Sequence, residues 1–159
     1  MSLNQIKILG LSITINSREE ILEEVEKRLA KSGKREQKPF RIVTPNPEQI
    51  VLAQKDKRFA DILNQADVAI PDGIGLVWAM RQSDGHPDIK RIPGVEFMED
   101  LVKLAGRQAY TIGLIGGRRG VAVAALECLQ KKYSGLVGWA IEPEEKSIGE
   151  IQKKIVDSK

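Results

Sequence analysis

Phe40-Arg41-Ile42-Val43-Thr44-Pro45-Asn46-Pro47-Glu48 and Val68-Ala69-Ile70-Pro71-Asp72-Gly73-Ile74-Gly75 decide how this chain is built. Each passes from a short apolar run, through Pro- or Gly-rich polar residues, into a helix-like stretch. That order of residues is where open α/β sheets place their ligand crevices, outside the carboxyl ends of the strands. A functional site is therefore expected on strand ends, with Thr44 and Asn46 on one and Asp72, Gly73 and Gly75 on the next.

The same alternation continues in both directions. Ile6 to Leu9 and Ile13 to Ile15, separated by Gly10-Leu11-Ser12, predict a small N-terminal hairpin. Ser17 then caps a helix with Ile21, Leu22, Val25 and Leu29 on one stripe. Strands are expected at Phe40 to Thr44, Val68 to Pro71, Tyr110 to Ile115 and Leu136 to Ile141. Helices are expected near Pro47 to Ala66, Gly75 to Gln82, Val95 to Gly106, Val121 to Tyr133 and Ile148 to Val156. Strands alternating with helices read as parallel βαβ units. The fold class is thus α/β: a Rossmann-like, largely parallel sheet with helices on both faces and a small N-terminal β-hairpin. A crossover helix normally leads into another parallel strand, so a chain stopping after the last helix is expected to be C-terminally truncated or a partial domain.

Composition narrows the functional classes. The 159 residues suit a single domain with a sizeable core. A lone cysteine, Cys128, forms no intramolecular disulfide, fits a reducing cytoplasm, and reads as a core residue of its helix. The N-terminus has neither a basic nor an apolar leader region, and no apolar stretch is long enough to span a bilayer. A net charge of +3 is small, with its basic excess at Lys27, Arg28, Lys31, Lys34, Arg35 and Lys38, so nucleic acid is not expected as a partner. That cluster reads as a solvated helix end and loop. Trp78, Trp139, Met80 and Met98 read as packing residues, and His86 as a loop residue.

The polar residues at the strand ends each have a plain and a chemical reading. Asn46 is a good N-cap, Pro47 suits the first helical position and Gln49 completes a capping box, so Thr44 to Glu48 could simply start a helix. Capping leaves the Thr44 hydroxyl unexplained, and free helix-terminal N–H groups beside it would suit a phosphate. Asp72 could cap the helix bearing Leu76, Val77, Trp78 and Met80. It is also the ionised carboxylate that a general base for a sugar hydroxyl requires, with glycines that admit substrate to the backbone. One such group suffices for direct inverting transfer, whereas glycoside hydrolysis usually needs a pair, and no second carboxylate marks this strand end. Arg91-Ile92-Pro93-Gly94 is either a turn or a cation facing an anionic leaving group. Gly116-Gly117-Arg118-Arg119-Gly120 is either a tight βα turn or a phosphate site. Read as a dinucleotide fingerprint it has Ile115 where the first glycine belongs, while Gly117, Gly120 and the later acid Glu142 fit. No Asp-x-Asp pair, His-Glu-x-x-His or cysteine cluster is present, so no metal ligands are assigned.

In order along the chain, Thr44-Pro45-Asn46-Pro47-Glu48, Pro71-Asp72-Gly73-Ile74-Gly75, Arg91-Ile92-Pro93-Gly94 and Ile115-Gly116-Gly117 resemble the TagA/WecG/CpsF family of bacterial glycosyltransferases. The resemblance runs through essentially the whole chain, as one glycosyltransferase domain over residues 1–159. It implies inverting transfer of N-acetylmannosamine from a UDP-sugar to polyprenyl-diphosphate-linked N-acetylglucosamine, in wall teichoic acid or related surface-polysaccharide synthesis. By residue, it implies Asp72 as base, with Thr44 and Arg91 also catalytic and Asn46 binding substrate. Gly73, Gly75, Gly116, Gly117 and Arg118 are the further binding residues of the strand-end reading. No cofactor and no metal are expected. The expected partners are the UDP-sugar, the lipid-linked acceptor, a second copy of the chain and, in the complete enzyme, the inner face of the cell membrane on which a cytoplasmic protein sits peripherally.

This sequence departs from the family pattern in three places. Glu96 stands where members commonly have Asp, the chain ends before a later Pro-x-Gln-Glu motif, and it lacks a basic C-terminal appendage. The expectation is a protein that binds nucleotide but turns over poorly. Two other classes fit the residues less fully: a nicotinamide-dependent oxidoreductase built on the Gly116 turn, and a non-catalytic nucleotide-binding module.

Overall fold

The computed structural model describes residues 3–31, 38–83, 88–143 and 148–157, so His86, Lys34 and Arg35 lie outside the described residues. Its contacts divide the chain into two compact units, Met1–Met98 and Glu99–Lys159.

The first unit opens with β1 (Gln5–Ile8) and β2 (Leu11–Thr14), paired antiparallel with Ile8 opposite Leu11. The loop is Leu9-Gly10, with φ of 48° and 81°, so the turn falls earlier than the expected Gly10-Leu11-Ser12. Two successive positive φ values match the right-handed twist of a two-residue hairpin. The shift places Leu11 and Ile13 in the core, 2% and 1% exposed, where a later turn would have left Leu11 in a loop. Gln54 Nε2 donates to the Leu9 carbonyl at 2.9 Å and Asn64 Nδ2 to that of Gly10 at 3.1 Å, which pins the strained tip.

α1 (Arg18–Ala30) begins at Ser17, whose side chain and that of Glu20 close a capping box, and it buries Ile21 and Val25. β3 (Ile42–Val43) then leads into α2 (Pro47–Lys55) and α3 (Lys57–Asn64). One helix from Pro47 to Ala66 was the expectation, but Asp56 interrupts it. Its backbone is extended, its N–H closes α2 on the Leu52 carbonyl, and its carboxylate caps α3 at the Phe59 N–H. An aspartate able to cap competes with helix continuation at that residue.

β4 (Val68–Ala69) lies parallel to β3, with Ile42 opposite Val68. The other edge of β4 meets the hairpin, where the Ala69 N–H donates to the fully buried Thr14 hydroxyl at 3.1 Å. α4 (Ile74–Ser83) follows directly. Leu76, Val77 and Met80 of α4 pack with Ile8, Leu11, Ile13, Ile50, Ala53, Leu63, Ala69 and Ile89 as one core. Each fully buried aliphatic side chain stabilises by roughly 1.5–3 kcal/mol. Trp78 does not join this core; it is 65% exposed. α5 (Gly94–Gln108) starts in this unit, where Phe97 is buried, and runs through the division between units.

In the second unit, α5 leads to β5 (Thr111–Ile115), α6 (Val121–Lys132), β6 (Val137–Ile141) and α7 (Ile148–Asp157). β5 and β6 are parallel, with Gly113 opposite Trp139. A Cβ on Gly113 would fall on the Trp139 ring, so this strand glycine makes room for the half-buried indole. Val102, Ala105 and Leu136 form the local core with Tyr110, Ile112, Leu129 and Tyr133 against them. Cys128 is exposed, not in the core, and Met98 of the first unit is likewise 38% exposed. The parallel strand pairs joined by helices make the fold α/β and Rossmann-like, with the N-terminal antiparallel hairpin.

Candidate active site

Three of the sequence motifs converge at the ends of β3 and β4. Backbone hydrogen bonds run on past the two short strands: Ile70 N–H to the Val43 carbonyl at 2.8 Å, Asp72 N–H to that of Pro45 at 3.1 Å, and Ile92 N–H to that of Pro71 at 3.2 Å. Pro45 and Pro71 are themselves fully buried, so the backbone entering each turn is fixed by packing.

Asn46 behaves as the helix-start reading requires. Its Oδ1 accepts from Gln49 N–H at 2.9 Å, and Gln49 Oε1 accepts from Asn46 N–H at 3.2 Å. Pro47, at the first helical position, has no N–H to offer. The side chain of Pro47 instead meets Gly73. With φ at +126°, Gly73 occupies a backbone region essentially closed to other residues, and a Cβ there would lie 2.8 Å from Pro47 Cδ.

Asp72 does not cap its own helix. Its Oδ1 accepts from Arg91 Nη2 at 3.1 Å and Nε at 3.3 Å, and its Oδ2 accepts from the Gly94 N–H at 3.1 Å. The carboxylate thus joins the end of β4 to the start of α5, and the side chains of the pair are 27% and 49% exposed. Gly94 is the residue that sequence reading passed over. Besides its N–H, it gives Thr44 room: a Cβ on Gly94 would lie 3.0 Å from both Thr44 Oγ1 and Cγ2. The Arg-x-x-Gly spacing was the signal, because only a glycine lets an exposed Thr44 lie against the first turn of α5. Glu96, two residues on, accepts from Arg18 Nη1 at 2.8 Å and ties α5 to the start of α1.

Thr44, Asn46, Asp72, Gly73, Arg91 and Gly94 therefore surround one partly exposed strand end of the first unit. The arrangement offers a carboxylate held on one oxygen by backbone, a guanidinium on the other, and a hydroxyl beside them. Among the described residues, no three His, Cys, Asp or Glu side chains gather as a metal site would require.

The Gly116 turn of the second unit has a different economy. Gly116, Gly117 and Gly120 have φ of +132°, +75° and +84°, and Arg119 has +56°. Glu142, 5% exposed, accepts from the Gly120 N–H at 3.0 Å and the Ala122 N–H at 3.2 Å. Val121 N–H reaches the Arg118 carbonyl at 3.2 Å. Of the N–H groups at the start of α6, expected to be open to a phosphate, those of Gly120 and Ala122 are thus already taken by a carboxylate of the chain itself and that of Val121 by a backbone carbonyl. The same contacts withdraw Glu142 from the ribose-binding role that a dinucleotide fingerprint would give it. Gly117 and Arg118 remain exposed on the turn, with Gly116 half-buried.

A polar, partly exposed strand end with one engaged carboxylate, on parallel strand pairs joined by helices, defines an α/β enzyme frame of the Rossmann-like kind. The chain belongs to the glycosyl transferase WecG/TagA/CpsF family, whose model matches residues 6–158. It is similar to the N-acetylglucosaminyldiphosphoundecaprenol N-acetyl-β-D-mannosaminyltransferases of Staphylococcus aureus strains NCTC 8325 / PS 47, COL and MSSA476. To each it is 34% identical over 95 residues, which cover 60% of this chain and 37% of the relative. The match thus spans little more than a third of the length of those relatives. Among the described residues, no helix is long and apolar enough to cross a membrane.

Proposed function

We propose that this chain carries the strand-end apparatus of an inverting glycosyltransferase. The donor is UDP-N-acetylmannosamine, and the acceptor is a polyprenyl-diphosphate-linked N-acetylglucosamine, in wall teichoic acid or related surface-polysaccharide synthesis. The observation that carries the reading is Asp72, partly exposed and bonded at once to Arg91 and to the Gly94 N–H. The relatives' name supports the same donor sugar and a diphosphate-lipid acceptor.

In this mechanism the donor's diphosphate competes with Asp72 for Arg91. The 3.1 and 3.3 Å bonds between a half-exposed guanidinium and one carboxylate oxygen are readily exchanged for phosphate oxygens, which guanidinium matches in geometry. Release of Arg91 frees Asp72 Oδ1, while Gly94 keeps Oδ2 in place. Asp72 then takes the proton of the acceptor hydroxyl as that oxygen bonds to the anomeric carbon. The bond from that carbon to the diphosphate breaks, and UDP departs with the electron pair. Arg91 stabilises the charge that develops on the leaving group. Thr44 positions the acceptor, and Gly73 and Gly75 let the sugar approach the backbone. Asn46 contributes to substrate binding, and no metal or other cofactor is assigned a step. The complete enzyme would work from the cytoplasm at the inner membrane face, as an assembly of like chains.

Calorimetric titration of this chain with UDP and, separately, with NAD, in the absence of added metal, tests the reading. Saturable UDP binding that weakens in Arg91→Ala supports it. NAD binding without UDP binding overturns it in favour of an oxidoreductase.

A further inference from the structure

α4 is apolar on every side of its first two turns. From Ile74 to Met80 it has no charged residue. It buries Leu76, Val77 and Met80, yet leaves Ile74 73% and Trp78 65% exposed. A surface helix ordinarily turns polar residues to water, and one apolar all round has apolar neighbours on both sides. Ile74 and Trp78 are four residues apart and so share one stripe. The stripe starts immediately after Gly73 and two residues after Asp72. Val95, next to the glycine whose N–H holds Asp72, is 70% exposed. Three large apolar side chains thus stand in water beside the backbone that holds the carboxylate.

We propose that the Ile74–Trp78 face receives the first isoprene units of the lipid-linked acceptor, so that the substrate is recognised by its tail as well as by its sugar. This rests on the glycosyltransferase reading. An acceptor whose hydroxyl reaches Asp72 has only a sugar ring and a diphosphate between that hydroxyl and its hydrocarbon, so the hydrocarbon must begin within that short span of Asp72. The apolar face begins two residues from it. An indole, with an apolar body and a polar N–H edge, suits the boundary between diphosphate and hydrocarbon. A second copy seated on the same stripe would instead crowd the approach to Asp72 past Gly73 and Gly75.

The test compares two probes on this chain by calorimetry: N-acetylglucosaminyl diphosphate esterified to farnesol, and the same headgroup esterified to methanol. The farnesyl probe is expected to bind at least about tenfold more tightly, as burial of a few apolar carbons requires. In the Ile74→Ser/Trp78→Ser variant the two probes should bind within about twofold of each other, with UDP affinity unchanged. Because both residues are exposed, the variant is expected to fold, and its UDP titration confirms that it has. Equal affinity for the two probes in the unaltered chain overturns the proposal, as does a preference that survives the double substitution. Sedimentation that finds an oligomer dissociated by the substitutions, with the farnesyl preference intact, assigns the face to a second copy and also overturns it. Failure of the unaltered chain to bind UDP or either probe overturns the glycosyltransferase reading itself, an outcome distinct from loss of tail recognition alone.

Discussion

The two βα turns at Asp72 and at Gly116 look alike in sequence, each a strand followed by glycines, and the fold brings a carboxylate to each, yet the two carboxylates are used oppositely. Asp72 is partly exposed and shares its two oxygens between a half-exposed cation and one backbone N–H. Glu142 is buried and gives both oxygens to the first turn of α6. A carboxylate with an exchangeable partner and access to solvent is available for chemistry, whereas one whose lone pairs are taken by backbone serves the fold. The number and kind of its partners, more than the neighbouring glycines, separates a site from a scaffold.

The largest effect that bears on this contrast is expected from Asp72→Asn. It removes the proposed proton acceptor while keeping size and the Gly94 contact, so in the complete enzyme sugar transfer should fall by roughly 10²–10⁴-fold, the usual contribution of a positioned base. Thermal stability should change little. Transfer near the unaltered rate by a normally folded Asp72→Asn protein would remove Asp72 from the mechanism. Glu142→Ala should do the reverse. Two charge-assisted bonds, one to the buried Ala122 N–H and one to the more open Gly120 N–H, disappear at a cost of about 2–3 kcal/mol, and the melting temperature should fall by something on the order of 10 °C. Glu142→Gln, which keeps one carbonyl acceptor, should lose roughly half as much. If Glu142→Ala melts as the unaltered chain does, the buried cap contributes nothing, and the two turns are less different than their geometry implies.

The first turn was legible in the sequence because its constraints are local. Pro45, Pro47, Pro71, Gly73 and Gly75 can hardly be read as anything but strand exits, and Asn46 with Gln49 spells out its own capping box. Glu142 was not legible as a cap, because its partners are 20 and 22 residues away and only the β5–β6 pairing brings it to them. The break at Asp56 lay in Lys55-Asp56-Lys57, with no Gly or Pro to mark it. Trp78 and Cys128 were misplaced for a common reason: their helices are apolar on more than one side, so hydrophobic spacing did not say which side was buried.

Glycine substitutions sharpen the account of the Asp72 turn. Gly73→Ala combines a forbidden φ with a Cβ 2.8 Å from Pro47 Cδ, and should cost about 2–3 kcal/mol by urea denaturation. Gly94→Ala needs no special φ, but its Cβ would meet Thr44 Oγ1 and Cγ2 at 3.0 Å and Thr44 Cβ at 3.1 Å, so the backbone must shift by a few tenths of an ångström; about 1–2 kcal/mol is expected. Its sharper signature is in function, because moving Thr44 and the Gly94 N–H disturbs the carboxylate that both of them flank. A Gly94→Ala protein with unaltered stability and unaltered transfer would mean that the close approach is incidental.

The smallest expected effect belongs to an ion pair that resembles Asp72–Arg91 in type but not in use. In the second unit, Glu99 accepts from Lys132 Nζ and from Tyr133 Oη, and the tyrosine ring lies against Val102, Ala105 and Leu136. The hydrogen bond from Lys132, followed by that from Tyr133, holds the Glu99 carboxyl below its ordinary value of 4.5, and Glu99 in turn raises Lys132 above 10.5. In acid the unfolded chain takes up the Glu99 proton first. The stabilisation is therefore present above 4.5 and disappears as pH falls through the lower folded value. In alkali the sign is opposite for a cation: the Lys132 contribution is full below 10.5 and disappears as pH rises through the raised folded value. Melting temperatures of Glu99→Gln and the unaltered chain, measured from acid to alkaline pH, should differ slightly on the plateau and converge at both ends. The difference should shrink in high salt, since exposed pairs contribute little and are screened. A gap that instead widens in acid would mean that protonated Glu99 is the stabilising form. In that event the pair would not be the static staple that its contrast with the proposed chemistry of Asp72–Arg91 requires.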